Sequence, residues 1–420
     1  MNLLNMQTNS VIRGVSSCRG CEGTKLFSIL DLGLQPIANE LLETETSEEH
    51  LFPLELSVCS DCGLGQIGEF VSPARIFSDS YPYLSSVSGY WLSHAKNYYR
   101  KITTQFQLNK DHFIVELASN DGYLLQYFNT DGYKVLGVEP ADNVANIARG
   151  LGIETLSSFF GRSIAKEIKE TYGNPRLLIA NNVLAHVPDL DDFVGGISLL
   201  CDDKTIVTIE NPSFTNLLMF NQFDTIYHEH FSYLSAHAVS ILMKRHGLEL
   251  FDVEKLEAHG GSYRYYVRKG SSELISNNVN SAIAEEIGVG LLSPELWGSF
   301  SVKSRQAISG LKQWIFDRKL LGSRIVAYGA AAKGNTLLNA AGVKSGDILF
   351  VIDGSKEKQG KFLPGSRIPI LDLESTQNEN PTDILVLPWN IANEITRIAK
   401  QHFPEALCWI AIPEMKIYES

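Results

Sequence analysis

The 420-residue sequence has no long apolar run, few cysteines and fewer basic than acidic residues. No run approaches the ~20 apolar residues that a membrane-spanning helix needs, so we predict no membrane span. The first residues lack the basic start, apolar core and small-residue cleavage site of a signal peptide. We therefore expect a cytoplasmic protein.

The deficit of basic residues excludes a second class of partner. Lys and Arg total 36 against 48 Asp and Glu, which gives a formal net charge of −12. Binding to nucleic acid or to an anionic membrane would require a concentrated basic patch, and the sequence contains none. The remaining composition, 44% hydrophobic and 20% charged, is that of a globular protein. The length predicts two or three domains, and we expect a monomer.

Four of the six cysteines form two pairs with a two-residue spacer, Cys18 with Cys21 and Cys59 with Cys62. In a reducing cytoplasm such paired thiolates suit a tetrahedral zinc ion. A redox pair is the alternative, but neither pair opens a helix after a parallel strand, as a thioredoxin-like pair would. A closed four-sulfur site leaves no position for a substrate. We therefore predict a structural zinc in a module of residues 1–75.

From residue 112 onward, strand-like and helix-like segments alternate. Strands are predicted at residues 112–118, 134–140, 176–187 and 204–212, with a closing strand at 260–270. This alternation predicts an α/β fold with a parallel sheet and helices on both faces. The predicted domains are the α/β domain at 76–270, a helical connector at 271–300 and a second, smaller α/β unit at 301–420.

The first predicted strand runs into Ser119-Asn120-Asp121-Gly122, and Glu139 ends the second strand. Ligands bind at the carboxyl ends of parallel strands, where an acid after the second strand can bind ribose hydroxyls. The loop lacks the G-x-G-x-x-G that accommodates a pyrophosphate. A nucleoside cofactor without pyrophosphate fits better, and S-adenosylmethionine is the commonest. A plain strand–turn–helix with a surface acid remains the alternative.

A second group of ionisable residues, Tyr227-His228-Glu229-His230, follows the fourth strand. Histidine titrates near neutral pH and glutamate can orient it, so this group predicts acid–base chemistry. A His-x-His metal pair is the rival interpretation, but no third ligand is near in the sequence. His186 ends the third strand at the same predicted crevice, either as a helix-capping group or as a catalytic partner.

The C-terminal unit contains Lys333-Gly334-Asn335-Thr336 between a strand and a helix. Small residues followed by Lys, Asn and Thr at a helix start can hold a phosphate. The order differs from that of a Walker loop. Small residues that let a helix approach a sheet explain the segment equally well.

Together these motifs resemble the S-adenosylmethionine-dependent C-methyltransferases of nucleotide-linked deoxysugars, in particular their D-mycarose 3-C-methyltransferase branch. The resemblance consists of the four-cysteine module, V-E-x-x-S-N-D-G, G-V-E-P, Y-H-E-H-F-S-Y, the His-Gly-Gly-Ser at 259–262 and Y-G-A-x-A-K-G-N-T. It implies a Rossmann-like class I methyltransferase core with a seven-stranded sheet. An N-terminal zinc-binding module and a C-terminal nucleotide-sugar-binding α/β domain would flank that core.

The resemblance also implies roles for individual residues. His230 would be the base that removes the C3 proton of a TDP- or GDP-linked 4-keto-6-deoxyhexose. The residues lining the sugar would be Tyr227, Glu229, His186 and Tyr81, with Tyr83 as a substitute for Tyr81. Those near the diphosphate would be Lys333, Asn335 and Thr336. Those binding S-adenosylmethionine would be Glu116, Ala118, Ser119, Asn120, Gly122, Glu139, Pro140 and Asn182, although Ala118 stands where many methyltransferases carry glycine.

The residue types suit this chemistry. Removing a proton next to a ketone gives an enolate, which can attack a methyl sulfonium. Such a site needs a base, donors to the C4 oxygen and a methyl held in line. His230 suits the first role, Tyr227 or His186 the second, and the cofactor loop the third. The alternatives are an O- or N-methyltransferase, a nucleotide-sugar-binding or epimerising protein without the cofactor, and a zinc-ribbon nucleic-acid adaptor.

Overall fold

Three β-sheets organise the chain in a computed structural model, which describes residues 16–68, 70–77, 81, 83–270 and 275–419. The sheets have four, seven and six strands. The start of the predicted connector, residues 271–274, lies outside the described residues.

The N-terminal part is an antiparallel sheet beside the cysteine pairs. Its elements are β1 (Leu26–Pro36), β2 (Leu51–Cys59), β3 (Gly65–Ile67) and the short helix α1 (Pro73–Ile76). Alternate residues of β2, Leu54, Leu56 and Val58, are fully buried on one face, as a half-buried strand requires. One cysteine pair precedes β1 and the other spans the turn after β2, so the sheet brings the two pairs together.

The central part contains the predicted alternation of strands and helices. Its elements are α2 (Gly89–Gln105), β4 (Phe113–Leu117), α3 (Leu125–Thr130), β5 (Lys134–Val138), α4 (Asp142–Gly150), β6 (Thr155–Leu156), α5 (Arg162–Tyr172), β7 (Leu177–Asn181), α6 (Leu190–Leu200), β8 (Ile206–Pro212), α7 (Phe214–Met219), β9 (Ser232–Tyr233), α8 (Ala236–Arg245), β10 (Leu248–Leu256) and β11 (Ser262–Lys269).

The seven-stranded sheet has the order β10-β11-β8-β7-β4-β5-β6. Strands β8, β7, β4, β5 and β6 are parallel, whereas β11 and β10 run antiparallel at one edge. The predicted Rossmann-like core and its seven strands are therefore confirmed, with β11 as the predicted closing strand. Sequence analysis did not find β10 or the short β6. The strand β9 joins the N-terminal sheet by pairing with β3.

Two helices connect the central part to the C-terminal part, α9 (Asn277–Gly288) and α10 (Pro294–Leu320). Pro294 starts α10 instead of merely breaking a helix, because proline is tolerated in a first turn, where its missing N–H has no partner to lose. The Ser293 hydroxyl caps this start by accepting from the Glu295 amide at 3.2 Å. Helix α10 continues through residue 300, where the connector was predicted to end.

The C-terminal part is a second α/β unit, as predicted. Its elements are β12 (Ile325–Tyr328), α11 (Ala332–Ala340), β13 (Val351–Ile352), β14 (Ile370–Leu371), β15 (Asp383–Val386), α12 (Ala392–His402), β16 (Leu407–Ile410) and β17 (Lys416–Ile417). The sheet order is β14-β13-β12-β15-β16-β17, parallel except for β17. Within the described residues, every helix is too short or too polar to cross a bilayer.

One hydrophobic core joins the N-terminal sheet, helix α10 and the C-terminal sheet. Leu56 of β2, Phe300 of α10 and Leu385 of β15 all belong to it. Two other clusters cover the two faces of the seven-stranded sheet. The shared core fixes the two flanking parts relative to each other, and helix α10 is its central element.

Phe300 and Phe316 lie on the same helix but are 0% and 57% exposed. We expect Phe300→Ala to lower the free energy of unfolding by about 3–5 kcal/mol, because it leaves a cavity in the shared core. Phe316→Ala serves as the matched control and should change it by less than about 0.5 kcal/mol. Urea unfolding followed by circular dichroism measures both. Equal losses in the two variants would contradict the described orientation of α10.

Candidate active site

A central cavity of ≈ 680 Å³ lies at the carboxyl ends of β4, β5, β7 and β8. All three parts of the chain line it, with Asn39 from the N-terminal part and Lys333 and Lys358 from the C-terminal part. This is where ligands of open parallel sheets bind. The cavity therefore has the position that the sequence predicted.

Most of the predicted site residues come together around this cavity. Those that line it are Tyr81, Tyr83, Ala118, Asn120, Glu139, Pro140, Asn182, His186, Tyr227, Glu229, His230 and Lys333. Those outside its lining are Glu116, Ser119, Gly122, Asn335 and Thr336. Lining side chains that sequence analysis did not single out include Asn39, Trp91, Tyr123, Phe159, Phe160, Asn211 and Lys358.

The residues after β4, β5 and β7 form a cradle at the carboxyl ends of these strands, and part of its backbone has an unusual conformation. Ala118, Asn120 and Asn182 have φ of 53°, 49° and 52°, a left-handed conformation that is uncommon outside glycine. The two carboxylate oxygens of Glu139 accept from the amides of Asn120 and Ala141, both at 3.0 Å. Each oxygen retains a further lone pair for a hydroxyl group.

This cradle fits S-adenosylmethionine. Glu139 would bind the ribose hydroxyls, and the buried Asn182 Nδ2, which has no partner among the described residues, would donate to the methionyl part. Phe159 and Phe160 line the same end and offer rings to the adenine. When bound, the cofactor supplies a methyl group activated by a sulfonium.

Three predicted cofactor residues lie behind the cradle instead of on its surface. Ser119 packs against β5, because a Cβ at Gly137 would lie 2.4 Å from its Oγ. Gly122 has φ of 81°, a turn conformation that suits glycine. Glu116 is 1% exposed and burial raises its pKa well above the ordinary range. Their direct contact with the cofactor stays a prediction.

The hydrogen bonds of His230 define its tautomer. Its Nδ1 lies 3.1 Å from the Thr225 carbonyl oxygen, and a carbonyl only accepts, so Nδ1 carries the hydrogen. Nε2 therefore presents its lone pair, 3.1 Å from the Tyr227 hydroxyl. Burial and the neighbouring His186 hold the pKa of His230 well below its ordinary value. His230 is thus a neutral imidazole whose acceptor nitrogen, Nε2, takes its hydrogen bond from Tyr227.

His186 is fixed in the same tautomer. Its Nδ1 donates to the Glu229 carbonyl oxygen at 2.8 Å, and burial lowers its pKa to about 4. The neutral ring therefore offers a lone pair at Nε2, not a hydrogen. This differs from the expectation that His186 could donate to a substrate oxygen, and the Glu229 carbonyl is the cause. The rings of His186 and His230 lie 4.7 Å apart.

Three protonated or protonatable groups surround the two histidines. Burial raises the pKa of Glu229 to about 7, and its Oε1 accepts from Asn39 Nδ2 at 2.6 Å. Burial, followed by the charge of Glu229, raises the pKa of Tyr81 and of Tyr227 well above the ordinary range. Both hydroxyls stay protonated and can donate. Tyr83 lines the cavity but is 48% exposed.

The N-terminal part holds the segment of residues 227–233 in place. The Phe231 carbonyl oxygen accepts from the Ile67 amide at 3.1 Å and from Arg19 Nη1 at 2.8 Å. His228 Nε2 lies 3.2 Å from the Pro53 carbonyl oxygen and donates to it. His228 therefore points away from His230, and these contacts position the segment.

In the predicted phosphate loop, Lys333 lines the cavity but Asn335 and Thr336 do not. Lys333 Nζ reaches the cavity wall, donates to Asn390 Oδ1 at 2.7 Å and lies 4.8 Å from the centre of the Trp389 ring. Asn335 instead donates from Nδ2 to the Ala38 carbonyl oxygen at 3.3 Å. Thr336 donates to the Ala332 carbonyl oxygen at 3.3 Å. Asn335 and Thr336 are buried, so this geometry gives their predicted role at a diphosphate no support.

The four cysteines form one compact cluster outside the cavity. Their Sγ atoms all lie within 4.8 Å of one another, with Cys18 to Cys62 at 3.5 Å and Cys21 to Cys59 at 3.6 Å. Tetrahedral zinc with Zn–S bonds of about 2.3 Å requires sulfur–sulfur distances of roughly 3.8 Å. The cluster fits zinc. The described residues contain no second group of three or more such ligands, so the His-x-His metal pair lacks a third ligand.

We expect Cys59→Ser to lose the zinc ion and to unfold at lower temperature, because metal binding contributes to folding free energy. Cys408→Ser, also a buried free cysteine, is the matched control and should keep about one zinc per chain. Elemental analysis and thermal unfolding measure both effects. A metal-free Cys59→Ser protein with unchanged thermal stability would contradict a structural zinc.

We expect Glu229→Gln to remove a pH dependence of stability. The carboxyl titrates near 4.5 when unfolded and at about 7 when folded, so the folded state holds an extra proton between these values. Wild-type stability should therefore fall as pH rises from 4.5 to 7, by about 2 kcal/mol relative to the variant. Gln keeps the acceptor for Asn39. Urea unfolding at pH 5 and pH 8 tests this, and parallel pH profiles would contradict the raised pKa.

Three family models match successive parts of the chain. Residues 18–77 match a zinc binding domain, residues 91–253 a methyltransferase domain, and residues 257–413 the C-methyltransferase C-terminal domain. The C-methyltransferase NovU of Streptomyces niveus is 32% identical over 411 residues, which cover 97% of this chain and 98% of NovU.

Two solved structures illustrate more distant similarity. Magnesium protoporphyrin IX methyltransferase (ChlM) from Synechocystis PCC 6803 is 10% identical, with 43% of this chain and 79% of ChlM covered and a TM-score of 0.32. The PH0226 protein from Pyrococcus horikoshii OT3 is 14% identical, with 47% and 97% covered and a TM-score of 0.36. The identity with NovU along nearly the whole length decides the family. The chain therefore belongs to the S-adenosylmethionine-dependent C-methyltransferases, and its N-terminal four-cysteine module is their zinc-binding domain.

Proposed function

We propose that this enzyme methylates C3 of a nucleotide-linked 4-keto-deoxysugar in branched-chain deoxysugar biosynthesis, with His230 as the enolising base. One observation carries the proposal. His230 faces the cavity as a neutral imidazole whose Nδ1 is held by the Thr225 carbonyl and whose Nε2 lone pair accepts from the Tyr227 hydroxyl. O- and N-methyl transfer need no enolising base, whereas forming a carbon nucleophile does.

The proton and the electron pair have defined destinations in this reaction. Nε2 of His230 takes the C3 proton. The electrons of the C3–H bond form a double bond between C3 and C4, and the carbonyl π electrons move onto the C4 oxygen, which becomes negatively charged. The protonated Tyr81 hydroxyl donates to that oxygen. Once Nε2 holds the proton it can no longer accept from Tyr227, and the Tyr227 hydroxyl is then free to donate to the same oxygen. The enolate carbon would then take the activated methyl group, as the methyl–sulfur bond breaks and S-adenosylhomocysteine leaves. Because His186 presents a lone pair instead of a hydrogen, it would accept from a sugar hydroxyl.

The C-terminal wall of the cavity suits the nucleotide diphosphate. Lys333 donates to the neutral Asn390, and Lys358 lines the same wall. Lys358 Nζ lies 3.8 Å from Asp353 Oδ2, so it is chiefly the charge of Lys333, which donates to a neutral amide, that favours an anionic group over a neutral metabolite. This supports a TDP- or GDP-linked 4-keto-6-deoxyhexose as the acceptor.

Product analysis with methyl-¹³C-labelled S-adenosylmethionine and a TDP-4-keto-6-deoxyhexose tests the proposal, with the GDP-linked sugar as a second acceptor. We expect NMR to show the labelled methyl bonded to C3. His230→Ala should lower turnover by at least about 10²-fold while the Kd for S-adenosylhomocysteine changes less than threefold. His237→Ala, outside the cavity lining, is the control and should keep wild-type turnover.

Other positions of the label have separate meanings. A methyl group on C5, which also flanks the ketone, would keep the enolisation and overturn the C3 assignment. A methyl group on oxygen or nitrogen, or near-normal turnover by His230→Ala, would overturn the enolising role of His230.

A further inference from the structure

Strand β8 places an amide where its pattern calls for an apolar side chain. Alternate residues of a strand share one face, and Val207 and Ile209 are fully buried in one hydrophobic cluster. Asn211 is the next residue on that face and is 1% exposed. It lines the central cavity, and neither Oδ1 nor Nδ2 has a hydrogen-bond partner in the described part of the chain. A buried amide without partners is unfavourable unless a ligand completes it.

Ser232 brings a second unpartnered group to the same wall. It is 0% exposed and lines the cavity, and its Oγ has no partner among the residues described. Ser213 forms a parallel bridge with Leu234, and Asn211 and Ser232 each lie two positions before that bridge. Because alternate residues of a strand share one face, the side chains of these four residues point to the same side. All four line the cavity: Asn211, Ser213, Ser232 and Leu234.

The position of this pair separates it from the cofactor cradle. The cradle residues lie on β4, β5 and the end of β7, whereas β8 is the next strand on the other side of β7. Ser232 directly follows the segment that contains His230. The pair therefore lies on the side of the cavity where the methyl acceptor must approach the base.

The chemistry of the pair selects one kind of group. An amide side chain offers donors and an acceptor, and a serine hydroxyl offers both. A carbonyl oxygen would leave Asn211 Oδ1 unpaired, and a cation would leave Nδ2 unpaired. A hydroxyl group can donate to Oδ1 and accept from Nδ2 or from Ser232.

We propose that Asn211 and Ser232 form a hydroxyl-binding subsite that selects acceptor sugars by a ring hydroxyl on the reacting carbon or on the carbon next to it. This proposal rests on the proposed function, because the subsite would bind a hydroxyl substituent of the proposed acceptor sugar. A site built around a hydroxyl strongly rejects the analogue that lacks it, since its own polar groups then remain unpaired.

The experiment compares acceptors that differ by one hydroxyl. A TDP-4-keto-6-deoxyhexose is paired with its 2-deoxy analogue and, separately, with its 3-deoxy analogue. For the wild type we expect kcat/KM to fall by about 10²-fold for one of the two analogues. In Asn211→Leu the same pair should react within about threefold of each other. Ser232→Ala should also reduce the ratio of kcat/KM between the sugar and that deoxy analogue.

The Kd for S-adenosylhomocysteine shows whether each variant keeps its fold, and Ser232→Ala carries the test if Asn211→Leu fails to bind it. Unchanged discrimination in a folded variant, with methylation intact, would overturn the subsite alone and leave a bound water as the partner of Asn211. Absence of methylation of every sugar by the wild type would overturn the proposed function together with the subsite.

Discussion

The pairing of β3 with β9 is the contact on which the active site depends. It joins the zinc-binding module to the segment of residues 227–233, which contains His230. The Phe231 carbonyl accepts from both Ile67 and Arg19, and Asn39 binds the Glu229 carboxyl. In the proposed mechanism the zinc-binding module therefore acts at a distance from the chemistry, by fixing the backbone that carries His230. A metal with no open position can still be required for catalysis in this way.

Burial produces two opposite pKa shifts that complement each other in the same cavity. Desolvation disfavours the charged form of any group, so it lowers the pKa of a histidine and raises that of a carboxyl or phenol. His230 is consequently a neutral acceptor of protons, while Tyr227 and Tyr81 remain donors. In the proposed mechanism, a base and its hydrogen-bond donors thus coexist at neutral pH. The backbone carbonyls of Thr225 and Glu229 complete this arrangement by fixing both imidazole tautomers.

Local pattern predicted the alternating strands and helices and the cysteine cluster, and most of the site residues it predicted line the cavity, because each of these features depends on short segments of sequence. It did not predict the β3–β9 pairing or the contact between Asn39 and Glu229, which joins residues 190 positions apart. It placed Asn335 at a phosphate, whereas packing against the N-terminal part turns that side chain toward the Ala38 carbonyl. The direction of a helical side chain depends on which neighbour covers it, and the sequence of one helix does not contain that information.

Solvent exchange at C3 tests the central claim, His230-catalysed enolisation, most directly. Enzyme, S-adenosylhomocysteine and a TDP-4-keto-6-deoxyhexose are mixed in D₂O, and the C3 and C5 proton signals are followed by NMR. We expect the C3 signal to disappear faster than in an enzyme-free control, and we expect His230→Ala to return the rate to that of the control. Formation of methylated product by an enzyme that exchanges no C3 proton, or equally fast exchange by His230→Ala, would contradict it.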